Sequence, residues 1–340
     1  MADAKKQIRL AFIGCGGHSS GTLMPNAHMV AEIHIAAMCD LDEAKARKAA
    51  ERWGVKAWYK DFNVMLKEQP LDAVIVVGPP MMMQPITKEM LGRGLHVFTE
   101  KPPAVSAALA KELVDAAEES GKFGMVATHW RHALPYAKAR DIIAKPEFGQ
   151  PSHCQGWFYA PGPTGPLWGG NAIEGYLLAQ GVHLVDCTRS LMGDVAEVQA
   201  TVRGDEKAFD SGAVSLKFKS GATGVLSLVA RSCYWTGHRV FGTGGGFIEV
   251  QNGRDLRCAL PPFWTGEKGV DYWNQSFQTW NPSPFIPGYA GYGYLQELTH
   301  FATCILQGKP PAASLKDGYE AMRVLEAIRD SAKSGRPTAL

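Results

Sequence analysis

Three short stretches of this chain have residue types and spacings that could do chemistry. The first is Gly14-Cys15-Gly16-Gly17-His18-Ser19, which follows the apolar run 8–13 and opens a helix-like segment. Gly14 permits a tight turn, and Gly16 lets the backbone approach a pyrophosphate. Ser19 stands where a third small residue would pack helix against strand. Phosphates would rest on free N–H groups at the helix N-terminus, with Gly17 and His18 completing the loop. No Gly-Lys-Ser/Thr follows, so a triphosphate-hydrolysing loop is excluded. The second is Asp40, at the end of the next strand-like run. A carboxylate there can accept from both ribose hydroxyls and would repel a 2′-phosphate, which favours NAD(H) over NADP(H). It could equally serve as the cap of the following helix. The third is Thr99-Glu100-Lys101-Pro102-Pro103, again directly after a strand. A lysine desolvated at a strand's carboxyl end loses basicity and moves toward working pH.

These residues need elements to position them, and the first part of the chain supplies an alternation. Short buried strands are predicted at 8–13, 33–39, 57–59, 73–77, 96–99 and 124–128. Helices are predicted at 41–53, 62–68, 85–93 and 106–120, with Gly54 and Gly94 as stops. Strands alternating with helices imply a parallel, doubly wound Rossmann sheet. The rhythm then changes. Strands are predicted at 151–159, 195–203, 213–219, 223–231, 239–242 and 246–251, with helices at 135–144, 172–191, 294–307 and 315–334. Consecutive strands with short turns predict an α+β domain with an open antiparallel sheet. The Pro-, Gly- and aromatic-rich stretch 260–293 reads as a long ordered loop. The expected organisation is a dinucleotide-binding domain over 1–130 and a substrate-binding and oligomerisation domain over 131–340, whose last helix could pack back on the first.

Composition narrows the partners. The chain has 340 residues, enough for about two domains. Lys plus Arg is 35 and Asp plus Glu is 33, for a net charge of +2. That balance argues against nucleic acid or an anionic membrane as partner. Seven cysteines, odd in number and with no Cys-x-x-Cys pair, read as reduced thiols in a cytoplasmic protein. His129-x-x-His132 has no third ligand at plausible spacing, so no metal is expected.

With Gly14–Ser19, Asp40, Gly78-Pro79-Pro80, Glu100-Lys101-Pro102 and Gly181-Val182-His183, the chain resembles the Gfo/Idh/MocA oxidoreductases. This is the group of glucose–fructose oxidoreductase and the inositol dehydrogenases. The tail through Asp317-Gly318, Leu325-Glu326-Ala327 and Ser334-Gly335-Arg336 adds to the likeness. The resemblance implies an NAD site built from Gly14, Gly16, Gly17, His18, Ser19, Asp40, Gly78, Pro79, Glu100 and Lys101. It implies a catalytic pair, Lys101 and His183, that binds and deprotonates a substrate hydroxyl, and a cis peptide at Lys101–Pro102. It also implies a site at the carboxyl ends of the parallel strands and a homodimer or homotetramer formed through the second sheet. Two positions depart from the family. Ala179 stands where an aspartate usually precedes the histidine by four residues, and Met81-Met82-Met83 occupies a region that often holds a histidine near the cofactor. Core packing is the preferred reading of the methionines.

Further substrate contacts are expected at His129, Arg131, Tyr159, Trp168, Asn171, Glu174 and Trp235. Arg131 could grip a carboxylate or phosphate or pair with an acid of the protein. Glu174 could restore the charge lost at Ala179, and Trp235, with Tyr234 and His238 at a turn between strands, could stack on a sugar. The expected activity is hydride transfer between NAD and a secondary hydroxyl of a sugar, cyclitol or glycoside. Two alternatives accompany it. One is a redox-neutral enzyme with tightly held NAD, which Ala179 invites. The other is a non-catalytic regulator that binds NAD or sugar.

Overall fold

The computed structural model describes residues 6–260, 277–282 and 291–340. The chain divides into two compact units. One comprises Met1–His129 with Tyr294–Tyr319, the other Trp130–Gly293 with Glu320–Leu340.

The first unit is built on six parallel strands: β1 Ile8–Ile13, β2 Ile33–Cys39, β3 Ala57–Tyr59, β4 Ala73–Val76, β5 His96–Thr99 and β6 Gly124–Val126. Their order is β3-β2-β1-β4-β5-β6, the Rossmann arrangement in which the chain reverses direction between β1 and β4. Helices α1 Met24–His28, α2 Glu43–Trp53, α3 Phe62–Glu68, α4 Pro80–Gly92 and α5 Ala107–Ser120 connect them. β4 is wholly buried, as a strand covered on both faces must be. Sequence signals end the helices where expected. Asp42 caps α2 by accepting from the Ala44 N–H, Ser106 caps α5, and Gly54 stops α2 at φ +66°. α4 starts earlier than predicted, because Pro80 occupies its first turn, where the missing N–H costs nothing. The three methionines therefore lie on one helix and diverge. Met83 joins the core, Met82 packs against it and Met81 is exposed.

Residues from far down the chain complete this unit. Helix α9, Tyr294–Gln307, buries Leu298 and Phe301, and Phe301 meets Phe98 of β5 edge-to-face at 5.6 Å. The outer edge of β6 is covered as well. The Val126 N–H donates to Ala313, Met125 bridges Ser314 in antiparallel sense, and Leu315 packs over Gly124. A bare sheet edge would invite pairing with another chain.

The second unit carries a nine-stranded sheet in the order β14-β13-β12-β11-β7-β10-β9-β8-β15. Its strands are β7 Pro151–Tyr159, β8 Val195–Gly204, β9 Phe209–Phe218, β10 Thr223–Val229, β11 Trp235–Gly242, β12 Phe247–Gln251, β13 Asp255–Ala259, β14 Gln278–Trp280 and β15 Thr338–Ala339. The sheet is antiparallel with one exception: β7 and β10 run parallel, so the sheet is mixed. Most of the expected loop 260–293 lies outside the described residues, and β14 is a strand within it. β11 starts four residues earlier than predicted, which places His238 inside a strand, not at a turn.

One face of this sheet is packed by helices α6 Leu134–Ile143, α7 Ala172–Tyr176 and α8 Val182–Met192. The alternation along β7 sets the faces: Cys154, Gly156 and Phe158 point inward, and Gln155, Trp157 and Tyr159 point outward. Gly156 is needed there, because a Cβ would stand 2.8 Å from Leu226 and 3.1 Å from Leu184 of α8. The predicted helix 172–191 is interrupted. A π turn, Leu177–Gly181, separates α7 from α8, and a second π turn, Ser19–Leu23, precedes α1. Such turns recur at functional sites.

Candidate functional site

In the first unit the chemistry gathers at the carboxyl ends of β1, β2, β4 and β5. Gly14 has φ +103°, and a Cβ on it would lie 1.9 Å from the Val77 carbonyl oxygen, so only glycine fits this turn. Gly16 and Gly17 have no atom within 4 Å of an added Cβ, leaving their backbone open to an approaching group. The helical run 17–28 begins here, and Ser19 is fully buried beneath it.

Asp40 is tied to this loop. Its carboxylate accepts from the Cys15 N–H at 2.7 Å and the Asp42 N–H at 2.9 Å. The cap of α2 is Asp42, which leaves Asp40 with acceptor capacity beyond these two bonds. A cavity of about 310 Å³ opens beside it, floored by Gly14, Gly16, Gly78 and Pro79 and walled by Leu41, Phe62, Met82 and Ile86. An acceptor-rich mouth, a backbone cradle that a Cβ would fill and an apolar slot fit the ribose, pyrophosphate and adenine of a dinucleotide. Cys39 lines it and Cys15 lies in the adjoining loop, but burial, aided by the Asp40 charge, pushes both thiols up to about 12, so neither is a nucleophile.

Glu100 and Lys101 follow β5, and the Lys101–Pro102 peptide is cis, as expected. Glu100 is buried. One carboxylate oxygen lies 2.8 Å from His18 Nε2, and the other accepts the Lys101 N–H at 2.9 Å. Burial alone would raise the Glu100 carboxyl, but the His18 hydrogen bond and the nearby cations hold it below the usual carboxylate range. Burial lowers Lys101 from the ordinary lysine range, against the pull of Glu100. His18 also meets Tyr294 edge-to-face at 6.1 Å, and Tyr294 stacks on His129 at 4.1 Å.

In the second unit His183 sits near the start of α8, buried in a cluster with Trp130 at 5.6 Å and Phe158 at 6.4 Å, which themselves stack at 5.3 Å. Ala179 is buried in the π turn before it. Two further groups support this helix: Asp186, which sequence reasoning did not weigh, and His238, which it placed at a turn. Asp186, three residues after His183, takes the guanidinium of Arg131 in a two-pronged ion pair, with Nε donating at 2.8 Å. His238 bridges Tyr136 at 2.8 Å and Thr188 at 3.0 Å. Thr188 donates its own proton to Leu184, so it accepts from His238 Nε2, and His238 Nδ1 accepts from Tyr136. Full burial lowers His238 to about 4, so the imidazole is neutral.

Several expected substrate contacts have other roles. Arg131 serves Asp186, because a buried guanidinium needs an internal carboxylate. Asn171 and Glu174 form a capping box on α7, each side chain taking the other's backbone N–H at 3.0–3.1 Å. Glu174 also faces Arg329 at 3.7 Å, so it does not replace an aspartate at Ala179. Tyr159 and Trp235 are register partners on the outward face of the sheet, opposite the face that holds α8 and His183. With Trp157 and Arg239 they line an open cavity of about 740 Å³. The neighbouring Tyr234, in contrast, meets Phe158 edge-to-face at 6.3 Å, on the His183 side. Trp168 stands in a tight turn at φ +52° and is half-buried. The signal that could have separated Tyr159 and Trp235 from His183 was the period-two alternation of β7.

A Rossmann sheet with this first turn, an acid at the end of β2 and a half-buried lysine after β5 is the equipment of a nicotinamide-dependent oxidoreductase. Comparison with known proteins gives the family. Residues 8–128 match the GFO_IDH_MocA description "Oxidoreductase family, NAD-binding Rossmann fold", and residues 153–340 match "Oxidoreductase family, C-terminal alpha/beta domain". The chain belongs to the Gfo/Idh/MocA oxidoreductase family, and its first domain binds NAD. It is 26% identical to a myo-inositol 2-dehydrogenase of Thermotoga maritima, covering 98% of each. It is also 26% identical to a scyllo-inositol 2-dehydrogenase (NAD(+)) of Bacillus subtilis, covering 98% of this chain and 96% of that one. Among solved structures, a dehydrogenase from Chromobacterium violaceum superposes with TM-score 0.87 at 27% identity, over 97% of this chain and 96% of the other. Levoglucosan dehydrogenase in complex with NADH and L-sorbose shares the fold, with TM-score 0.84 at 20% identity and coverage of 98% and 99%.

Proposed function

We propose that this enzyme oxidises a secondary hydroxyl of a sugar, cyclitol or glycoside and passes the hydride to NAD. The observation that carries the reading is Lys101. It sits at the carboxyl end of β5 beside a buried carboxylate, and burial lowers its proton affinity. A lysine in that condition holds a larger neutral fraction near neutral pH and can act as a base. The names of the inositol dehydrogenase relatives support the substrate class.

Bound NAD supplies a hydride acceptor at the nicotinamide ring. Gly14, Gly16 and Gly17 would hold the pyrophosphate with His18 and Ser19, Asp40 the ribose hydroxyls, and Gly78 and Pro79 the floor. The two free acceptor positions of Asp40 favour a ribose with both hydroxyls over a 2′-phosphate. Lys101 would take the hydroxyl proton, and in the second unit His183 is the other candidate for handling it. The apolar walls of His183, Trp130 and Phe158, would exclude water. His129 and Tyr234 are the remaining candidates for substrate contact. The outward sheet face, with Trp157, Tyr159, Val225 and Trp235, would pair with a second copy to give a homodimer or homotetramer.

The test is NAD reduction followed by NADH absorbance across inositols, hexoses, uronates and glycosides, with Lys101→Met in parallel. Activity on at least one class, reduced about 10²–10⁴-fold in the variant, is the expected result. Undiminished turnover by Lys101→Met would remove the lysine from the chemistry.

A further inference from the structure

The glycine loop asks of position 18 only that it complete a turn, yet a histidine stands there and is engaged. The His18 side chain is 41% exposed, whereas that of Glu100 is 6% exposed, and His18 Nε2 lies 2.8 Å from Glu100 Oε1. Glu100 Oε2 takes the Lys101 backbone N–H at 2.9 Å. A buried carboxylate is thus shared between the phosphate-loop side and the lysine residue. The titratable groups at this corner come from each packed element: His18 from the helical run 17–28, Lys101 beside Glu100, and His129 from the turn after β6. α9 brings Tyr294 against His18 and carries the buried Glu297 one turn on.

We propose that His18 is a positioning residue for Lys101: by keeping Glu100 a carboxylate, it sets how tightly the Lys101 amine holds its proton. A buried carboxylate that loses its donor takes up a proton more readily. Lys101 would then lose its anionic neighbour and surrender its proton at lower pH. The catalytic meaning of this linkage rests on Lys101 being the base, but the linkage itself does not.

The test needs neither substrate nor NAD. The NAD-free protein is acetylated with limiting acetic anhydride across a pH series, and modification of the Lys101 peptide is followed by mass spectrometry. In Glu100→Gln the midpoint of Lys101 labelling falls by about one pH unit, the low end of what a nearby opposite charge imposes. His18→Phe keeps a ring against Tyr294 but has no donor, and its midpoint falls in the same direction. His18→Gln presents an amide N–H to Glu100 and keeps the wild-type midpoint. An unmoved midpoint in His18→Phe, or equal falls in His18→Phe and His18→Gln, would overturn the proposal. Retained NAD reduction by Lys101→Met would instead defeat the base assignment and leave these midpoints as they stand.

Discussion

Removing one partner of the Arg131–Asp186 pair should be among the most damaging single changes in the second unit. The side chains are 7% and 1% exposed, so neither charge can turn to water when the other is lost. Breaking a pair this buried by truncating one member costs about 3–5 kcal/mol, because it strands an uncompensated charge. Replacing both members with apolar side chains of similar volume costs far less, since the desolvation penalty disappears with the charges. At an m-value near the top of the usual range for urea, about 3 kcal/mol/M, Asp186→Asn should lower the unfolding midpoint of this unit by about 1–2 M. Arg131→Met with Asp186→Leu should recover most of that loss. Tryptophan fluorescence in a urea series reads the transition, since Trp130, Trp157, Trp168 and Trp235 all belong to this unit. Asp186 lies three residues from His183 on the same helix, so catalytic turnover in the double variant also reports whether the pair aims that imidazole. A midpoint for Asp186→Asn within about 0.3 M of wild type would refute the reasoning. So would a double variant less stable than either single one.

Other outcomes follow from the same geometry. Asp40→Ala should weaken NAD binding by at least about 100-fold, from loss of charge-assisted bonds worth about 1.5–3 kcal/mol each; titration calorimetry with NAD and NADP checks it. His238 is ordinarily at 6.5 and lowered to about 4, so between those values the unfolded chain binds a proton that the folded chain refuses. Its contribution is full above pH 6.5 and about 2–4 kcal/mol is lost as the pH falls to 4, a slope that His238→Phe should flatten in urea midpoints measured across pH. Asn171→Ala should cost about 1 kcal/mol by loss of its cap while leaving KM for substrate unchanged, a split that thermal melting and steady-state kinetics separate.

The cofactor side was legible from sequence because its constraints are local. Gly14 is where the strand-to-helix turn leaves no room for a Cβ, and Asp40 follows the last paired residue of β2, positions set by spacing alone. Glu100-Lys101-Pro102 falls likewise at a strand end. The second unit was legible as strands and helices but not as a site, because its decisive facts are pairings between distant residues. Whether Arg131 meets a ligand or Asp186 depends on how α8 packs, which periodicity does not encode. Asn171 and Glu174 do have capping-box spacing, and the structure forms that box. The parallel pairing of β7 with β10 was hidden for a related reason: a strand's own pattern does not say which neighbour it takes or in which sense.

The covering of β6 by residues 313–315 has a consequence for how the protein is made. A nascent chain that has delivered all six strands of the NAD-binding sheet still lacks α9 against β5 and the segment that seals the last strand. Phe98 has no Phe301 until translation passes residue 301, and Gly124 has no Leu315 until it passes residue 315. The dinucleotide domain therefore cannot close when its six strands have been made; it waits for residues 294–319, which follow most of the second unit in the chain. A ribosome-bound fragment stalled before residue 294 would expose a sticky edge that the released protein never displays.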